Sequence, residues 1–203
     1  MKRLGLTGGI ASGKSAIAEM LRELGFHVID ADELGHTLME PGRPAFSEIV
    51  KEFGEGVIDG AGRIDRRKLG EMVFADRRKL EKLNAILHPR VEEEMSRQFA
   101  EWEKEGVRDA AFVEAALLVE AGYQKKLDGL VVAWCKPEQQ IERLLARGMS
   151  REEALRRIAA QMPSQEKLAH ATVKIDCSGS LEETRRQVEE LAGKLKRGAS
   201  GSV

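Results

Sequence analysis

Lys14 and Ser15 stand directly after Gly13, and Gly8 precedes them at the spacing G-x-x-x-x-G-K-S. A lysine ammonium, a hydroxyl and a cluster of glycines suit a polyphosphate. The glycines let successive backbone N–H groups turn inward around phosphate oxygens. The lysine reaches the β- and γ-phosphates, and the serine hydroxyl can ligate Mg²⁺. A following helix adds the positive end of its dipole. Gly8, Gly9, Ile10, Ala11, Ser12, Gly13, Lys14 and Ser15 therefore form a candidate nucleoside-triphosphate site, with Ser15 its candidate metal ligand. A plain strand-to-helix turn would account for the glycines but not for Lys-Ser at its exit.

Phosphoryl transfer also needs an acceptor held in line and charge that closes over the phosphates. Asp32 is the candidate acid, just past the apolar run Phe26–Ile29. A carboxylate there can orient a hydroxyl or take its proton. Asp30 suits the helix-capping role that aspartate favours. Arg143 and Arg147 are four apart on a helical pattern, and Arg157 lies in the next one. A helix–turn–helix carrying these guanidiniums would make a lid that clamps phosphates. The alternative is a solvated basic face paired with Glu142, Glu152 and Glu153.

The elements that must position these groups are legible in outline. Arg3–Thr7 reads as a buried first strand, and Ala16–Leu24 as a helix ending at Gly25. Further strands are expected at Phe26–Ile29, Ala110–Glu114, Gly129–Trp134 and Thr172–Asp176. The Gly129–Trp134 run is the most apolar and is expected at the centre, and the alternating Thr172–Asp176 run at an edge. Between residues 33 and 107 the pattern is helical, with a turn at Asp59–Gly62 and a bend or restart expected at His88-Pro89. A last amphipathic helix is expected over Leu181–Leu195, followed by a frayed tail, Gly198–Val203. Strand–helix alternation predicts a parallel sheet covered on both faces, with ligands at the strand C-terminal edge. Thr7, Asp30, Asp32 and Glu114 all fall on that edge.

Composition bounds the rest. The 203 residues are 42% hydrophobic and 33% charged, with a formal net charge of −1. This describes a globular protein with no strong field for nucleic acid. Two cysteines, Cys135 and Cys177, are too few for a disulfide framework and match no zinc spacing. No run of about 18 apolar residues suggests a membrane span, and the chain opens directly on the first strand, so a cytoplasmic protein is expected. Three classes remain: a small-molecule kinase, a switch GTPase or nucleic-acid motor, and a nucleotide-dependent regulator. The absence of an N/T-K-x-D guanine signature weighs against the switch. A single P-loop with little basic excess weighs against the motor.

At this point the residues resemble the dephospho-CoA kinase family, over nearly the whole chain. The resemblance rests on Gly5–Ser15, Val28–Asp32, Phe53-Gly54, Ile64–Leu69, Val73-Phe74 and Leu83–Pro89. It continues through Leu117–Glu120, Gln140–Leu144, Gln161–Pro163 and Ser180–Thr184. It implies an α/β P-loop NTPase of three layers, α/β/α, with a five-stranded parallel sheet, a helical acceptor lobe and a helical lid. The core would span about 1–32, 108–137 and 170–197, the acceptor lobe about 33–107, and the lid about 138–169. The implied reaction moves the γ-phosphate of ATP, with Mg²⁺, to the ribose 3′-hydroxyl of 3′-dephospho-coenzyme A. This is the last step of coenzyme A synthesis, and ATP and dephospho-CoA are the implied partners. Asp32 matches the family's proposed base and Arg143 its lid arginine. Lys14 joins them as catalytic, Arg147 as a further ATP contact, and Arg66, Arg67 and His88 fall in the acceptor lobe. Gly35-His36, Ala116 and the segment His170–Cys177 depart from the family's pattern. Cys177 stands where the family has an asparagine near the adenine, and a thiol lacks the amide's donors and acceptor.

Overall fold

The computed structural model describes residues 1–200. Residues 201–203, the end of the expected tail, lie outside the described residues. The chain divides into two compact units, one of Met1–Asp30 with Glu101 onward, the other Ala31–Ala100.

The first unit is built on five parallel strands: β1 (Lys2–Gly8), β2 (His27–Asp30), β3 (Ala110–Glu114), β4 (Gly129–Trp134) and β5 (Val173–Asp176). Their order across the sheet is β2-β3-β1-β4-β5. The alternating fifth strand lies at an edge as expected, but the centre is β1, with β4 beside it. Both are apolar because every inner strand is covered on two faces, so apolarity alone does not rank them. Leu4, Leu6, Phe112, Val131, Ala133 and Ile175 join one core cluster with Ile17 and Leu21 of α1 (Lys14–Glu23) and with Val188 and Leu191 of α9 (Leu181–Ser200). The alternate residues Ala111, Val113, Leu130 and Val132 are buried too, on the other face. The sheet is thus the middle of three layers. Its register pairs Leu6 with both Glu114 and Val131, and Asp30 with Glu114, so the strand C-termini share one edge. Helix α9 continues to Ser200 rather than stopping near Leu195. Its apolar stripe ends there, while its backbone bonding does not.

Three more helices belong to the first unit: α6 (Pro137–Ala146), α7 (Arg151–Ala159) and α8 (Ser164–Ala169). Helix α7 starts at Ser150, whose hydroxyl accepts from the Glu153 N–H at 3.2 Å. Helix α8 is fixed by a charge. Lys167 is fully buried, and its ammonium donates to the Ala116 carbonyl at 2.6 Å and to the Glu120 carboxylate at 2.9 Å.

The second unit is helical: α2 (Ala31–Leu38), α3 (Pro44–Phe53), α4 (Arg66–Phe74) and most of α5 (Arg77–Lys104). Its core gathers Met39, Ala45, Ile49, Val57, Ile64, Leu69 and Val73. The bend or restart expected at His88-Pro89 does not break the helix, because α5 runs continuously with Pro89 inside it. Proline removes one N–H from the ladder. In that disturbed turn the Arg90 guanidinium donates to the Ile86 carbonyl.

Removing the Lys167 ammonium leaves Glu120 and the Ala116 carbonyl without their buried donor. Lys167→Ala should cost about 1–3 kcal/mol of folding stability, the range for leaving a buried acceptor without its donor. Denaturant unfolding measures it, and a loss below about 1 kcal/mol would show that the buried charge does not hold α8.

Candidate active site

Gly8 ends β1 at the sheet's C-terminal edge, and α1 begins at Lys14, so Gly9–Gly13 make the whole connection. Two residues in it have left-handed backbone. Ala11 has φ 58°, a conformation that costs a non-glycine residue about 1–2 kcal/mol. Gly13 has φ 104°, and a Cβ placed there would lie 2.8 Å from the Cys177 sulfur. The loop is therefore both strained and packed close against the end of β5.

Side chains from α6 and from the α7–α8 turn hold the loop's backbone. Gln140 Nε2 donates to the Ile10 carbonyl at 2.7 Å, and Arg143 Nη1 donates to the Ala11 carbonyl at 3.1 Å. Arg143 Nη2 also reaches the Cys177 carbonyl at 2.6 Å. Gln161 Oε1 accepts from the Ile10 N–H at 2.8 Å. Inside the loop, the Ser12 N–H donates to the Gly9 carbonyl at 3.1 Å. The Ser12 hydroxyl is buried with no hydrogen-bond partner among the described residues.

Lys14 opens α1. Its ammonium lies 2.7 Å from Glu114 Oε1, at the end of β3. Glu114 is buried, and the Arg22 guanidinium stands 3.8 Å from its other oxygen. A carboxylate this deep needs compensating cations, and Lys14 and Arg22 supply them. Ser15 is exposed in the first turn of α1. Beneath the loop, burial pushes the Cys177 thiol up to about 11 and raises that of Cys135 as well. Both are free thiols that pack the core and have no nucleophilic character at neutral pH.

The remaining sequence candidates are placed less uniformly. Arg147 is exposed at the C-terminal cap of α6, four residues after Arg143. Arg157 pairs with Glu153 at 2.8 Å on the α7 surface. In the second unit, Asp32 occupies the first turn of α2. Arg66 begins α4, where the helix dipole disfavours a cation. Its guanidinium donates to His36 Nε2 at 3.0 Å, so His36 Nδ1 carries the proton and gives it to Glu33 at 3.2 Å. His36, Arg63, Arg66, Glu33, Asp59 and Ile64 line part of a cavity of about 300 Å³ within this unit. The Arg63 backbone N–H holds the Asp59 carboxyl below its usual range. Arg67 instead pairs with Glu71 at 3.3 Å, and His88 is exposed on α5.

Gln140, Gln161, Lys167, Glu120 and His36 were not among the sequence candidates. Glutamines in helical patterns read as surface positions, and nothing in spacing shows a side chain bound to main chain. Glu114 carried the one available signal, a carboxylate closing an otherwise apolar strand.

A dephospho-CoA kinase family model matches residues 3–183. A dephospho-CoA kinase of Carboxydothermus hydrogenoformans is 45% identical over 194 residues, covering 95% of this chain and 94% of that relative. One from Aquifex aeolicus is 46% identical over 198 residues, covering 97% and 99%. Among solved structures, TT1252 from Thermus thermophilus superposes with a TM-score of 0.78 at 36% identity, covering 96% of this chain and 97% of that one. The dephospho-CoA kinase from Campylobacter jejuni gives 0.73 at 28%, covering 97% and 98%. With its phosphate loop intact and these relatives matching almost end to end, the chain belongs to the dephospho-CoA kinase family.

Proposed function

We propose that this chain transfers the γ-phosphoryl group of ATP to the ribose 3′-hydroxyl of 3′-dephospho-coenzyme A, releasing ADP and coenzyme A. In the reaction the acceptor oxygen bonds to the γ-phosphorus, the bond to the β-bridging oxygen breaks, and the hydroxyl proton leaves. The observation that carries this reading is the loop Gly8–Ser15. Its glycine-rich backbone leads into a helix N-terminus, and Lys14 is aligned there by a buried carboxylate. Family membership supplies the acceptor.

Lys14 neutralises β- and γ-phosphate oxygens, and Glu114 sets the direction of its side chain beforehand. The buried Ser12 hydroxyl is a polar atom suited to a phosphate oxygen. Among the described residues no three His, Cys, Asp or Glu side chains group to hold a metal by themselves. The exposed Ser15 hydroxyl fits the sparse protein ligation of a Mg²⁺ ion that arrives on nucleotide phosphates. Bound there, Mg²⁺ supplies charge neutralisation across the phosphates.

Asp32 orients the acceptor hydroxyl and takes its proton late in transfer. Asp30 pairs in register with Glu114 on the sheet edge, and Asp32 follows two residues later. Arg143 shapes the loop through the Ala11 carbonyl, and Arg147 adds a donor-phosphate contact. The second unit, Ala31–Ala100, is assigned to the acceptor, with Arg66, Arg67 and His88 meeting its anionic groups. The Arg66 cavity is the best-supported part of that assignment. The segment from α6 to α8 is assigned as the lid. Among the described residues no helix is long and apolar enough to cross a membrane. Two free cysteines favour the reducing cytoplasm.

Five substitutions test these roles in purified protein, with circular dichroism as the folding control. Lys14→Ala should abolish measurable transfer, and Ser15→Ala should raise the Mg²⁺ concentration required. A folded Lys14→Ala enzyme with normal turnover would overturn the phosphate-loop reading.

Asp32→Asn keeps the side chain's size and removes its charge. ATP binding by calorimetry should be unchanged, while single-turnover transfer falls about 10²-fold or more. Equal transfer would reassign Asp32 to the start of α2 alone.

Arg143→Ala should lower kcat/KM for ATP by about 10²-fold, the scale for losing a preorganised charged donor. Arg143→Lys should recover little, because an ammonium does not reproduce the fork that reaches two carbonyls. Full recovery by lysine would show that only the charge matters.

A further inference from the structure

Three backbone groups of two consecutive phosphate-loop residues are gripped from outside the loop. Gln161 Oε1 accepts from the Ile10 N–H at 2.8 Å, and Gln140 Nε2 donates to the Ile10 carbonyl at 2.7 Å. Arg143 takes the next carbonyl, that of Ala11. The Ile10 N–H and carbonyl belong to the two planar peptide units that flank its Cα. Fixing both planes fixes φ and ψ of Ile10. It also sets the approach to Ala11, whose φ of 58° needs outside support.

The fit is close. Gln140 is buried, and a Cβ on Gly9 would lie 2.7 Å from its Nε2. Gln140 and Arg143 are three residues apart on α6, so one helix face meets two successive carbonyls. Turning the Ile10 carbonyl toward Gln140 directs the Ala11 N–H the opposite way, since the two are anti across a trans peptide. Gln161 is tied in its turn. The neighbouring Met162 N–H donates to Glu120 at 3.0 Å, and Glu120 pairs with buried Lys167.

We propose that Gln140 and Gln161 are positioning residues for phosphoryl transfer, clamping the Ile10 backbone so that the Ala11 N–H faces the nucleotide's phosphates. The clamp makes the loop's conformation depend on the α6–α8 segment. Its kinetic consequence rests on the kinase reading, whereas the clamp itself can be observed without turnover.

The two glutamines act with opposite polarity, and this gives a sharp test. Gln161 only accepts, so Gln161→Glu keeps the bond and Gln161→Met removes it. Gln140 donates, so both Gln140→Glu and Gln140→Met remove its bond. In full-length protein without nucleotide, hydrogen exchange at the Ile10 amide should speed up about tenfold in Gln161→Met and stay near wild type in Gln161→Glu. In steady-state assays Gln161→Met and Gln140→Met should raise KM for ATP about tenfold, leaving KM for dephospho-CoA within twofold. Damage to folding alone would lower the active fraction and move neither KM. Unchanged Ile10 exchange in Gln161→Met overturns the clamp, and unchanged KM for ATP in that folded variant overturns the positioning role. Should Gln140→Met fail to fold, half-exposed Gln161 still decides. Should the wild type transfer no phosphate, the kinase reading fails. The clamp is then judged by exchange and by ATP affinity in calorimetry, where tenfold weakening supports it and equal affinity sinks it.

Discussion

A loop that offers its N–H groups to a ligand must send its carbonyls the other way, and those carbonyls need donors. Two side chains of one helix answer this constraint. Gln140 and Arg143 of α6 meet the Ile10 and Ala11 carbonyls, and Arg143 also reaches Cys177 at the end of β5. The side chains that could do so sit far away in sequence, about 130 residues from the loop. Helix α6 must therefore be carried back to the loop by the sheet. Parallel register achieves this, because β4 delivers α6 to the same edge at which β1 delivers the loop.

Charge burial is the second consequence. Lys14 needs a fixed direction before a polyphosphate arrives, and a buried Glu114 fixes it at 2.7 Å. That carboxylate is costly alone, and Arg22 shares its compensation from the other side. Lys167 and Glu120 repeat the arrangement near α8, where the ammonium also takes the Ala116 carbonyl. Thr7, the next-to-last residue of β1, donates to that same carbonyl. Strand, loop and α8 thus share partners, and a displacement of one is felt by the others.

How much of this was legible depends on which partner a residue uses. The phosphate loop declares itself because its chemistry lies in contiguous spacing. The strands declare themselves because burial on both faces writes continuous apolar runs. Arg143 was singled out as a candidate phosphate-clamping cation, but its observed partners are main-chain carbonyls, which leave no trace in residue type. Gln140 and Gln161 stand in runs that carry the family resemblance, but their role was not legible for the same reason. Helix α5 runs on through Pro89, and the Arg90 guanidinium adds a bond to the Ile86 carbonyl in that turn, a contact that residue type does not announce. Adjacent Arg66 and Arg67 were equal candidates. Successive helical residues diverge by about 100°, so Arg66 lines the cavity while Arg67 takes Glu71 on the surface.

The second unit shows the same logic in a looser form. Its cavity balances Arg66 and Arg63 against Glu33 and Asp59, with His36 relaying between Arg66 and Glu33. None of these side chains is deeply buried, so each pair is worth little as a structural bond. Pairs this weak and exposed exchange partners at small cost. The phosphate loop cannot work that way. Its strained backbone has to be correct before the ligand arrives, and so its braces are short, part-buried and drawn from across the chain.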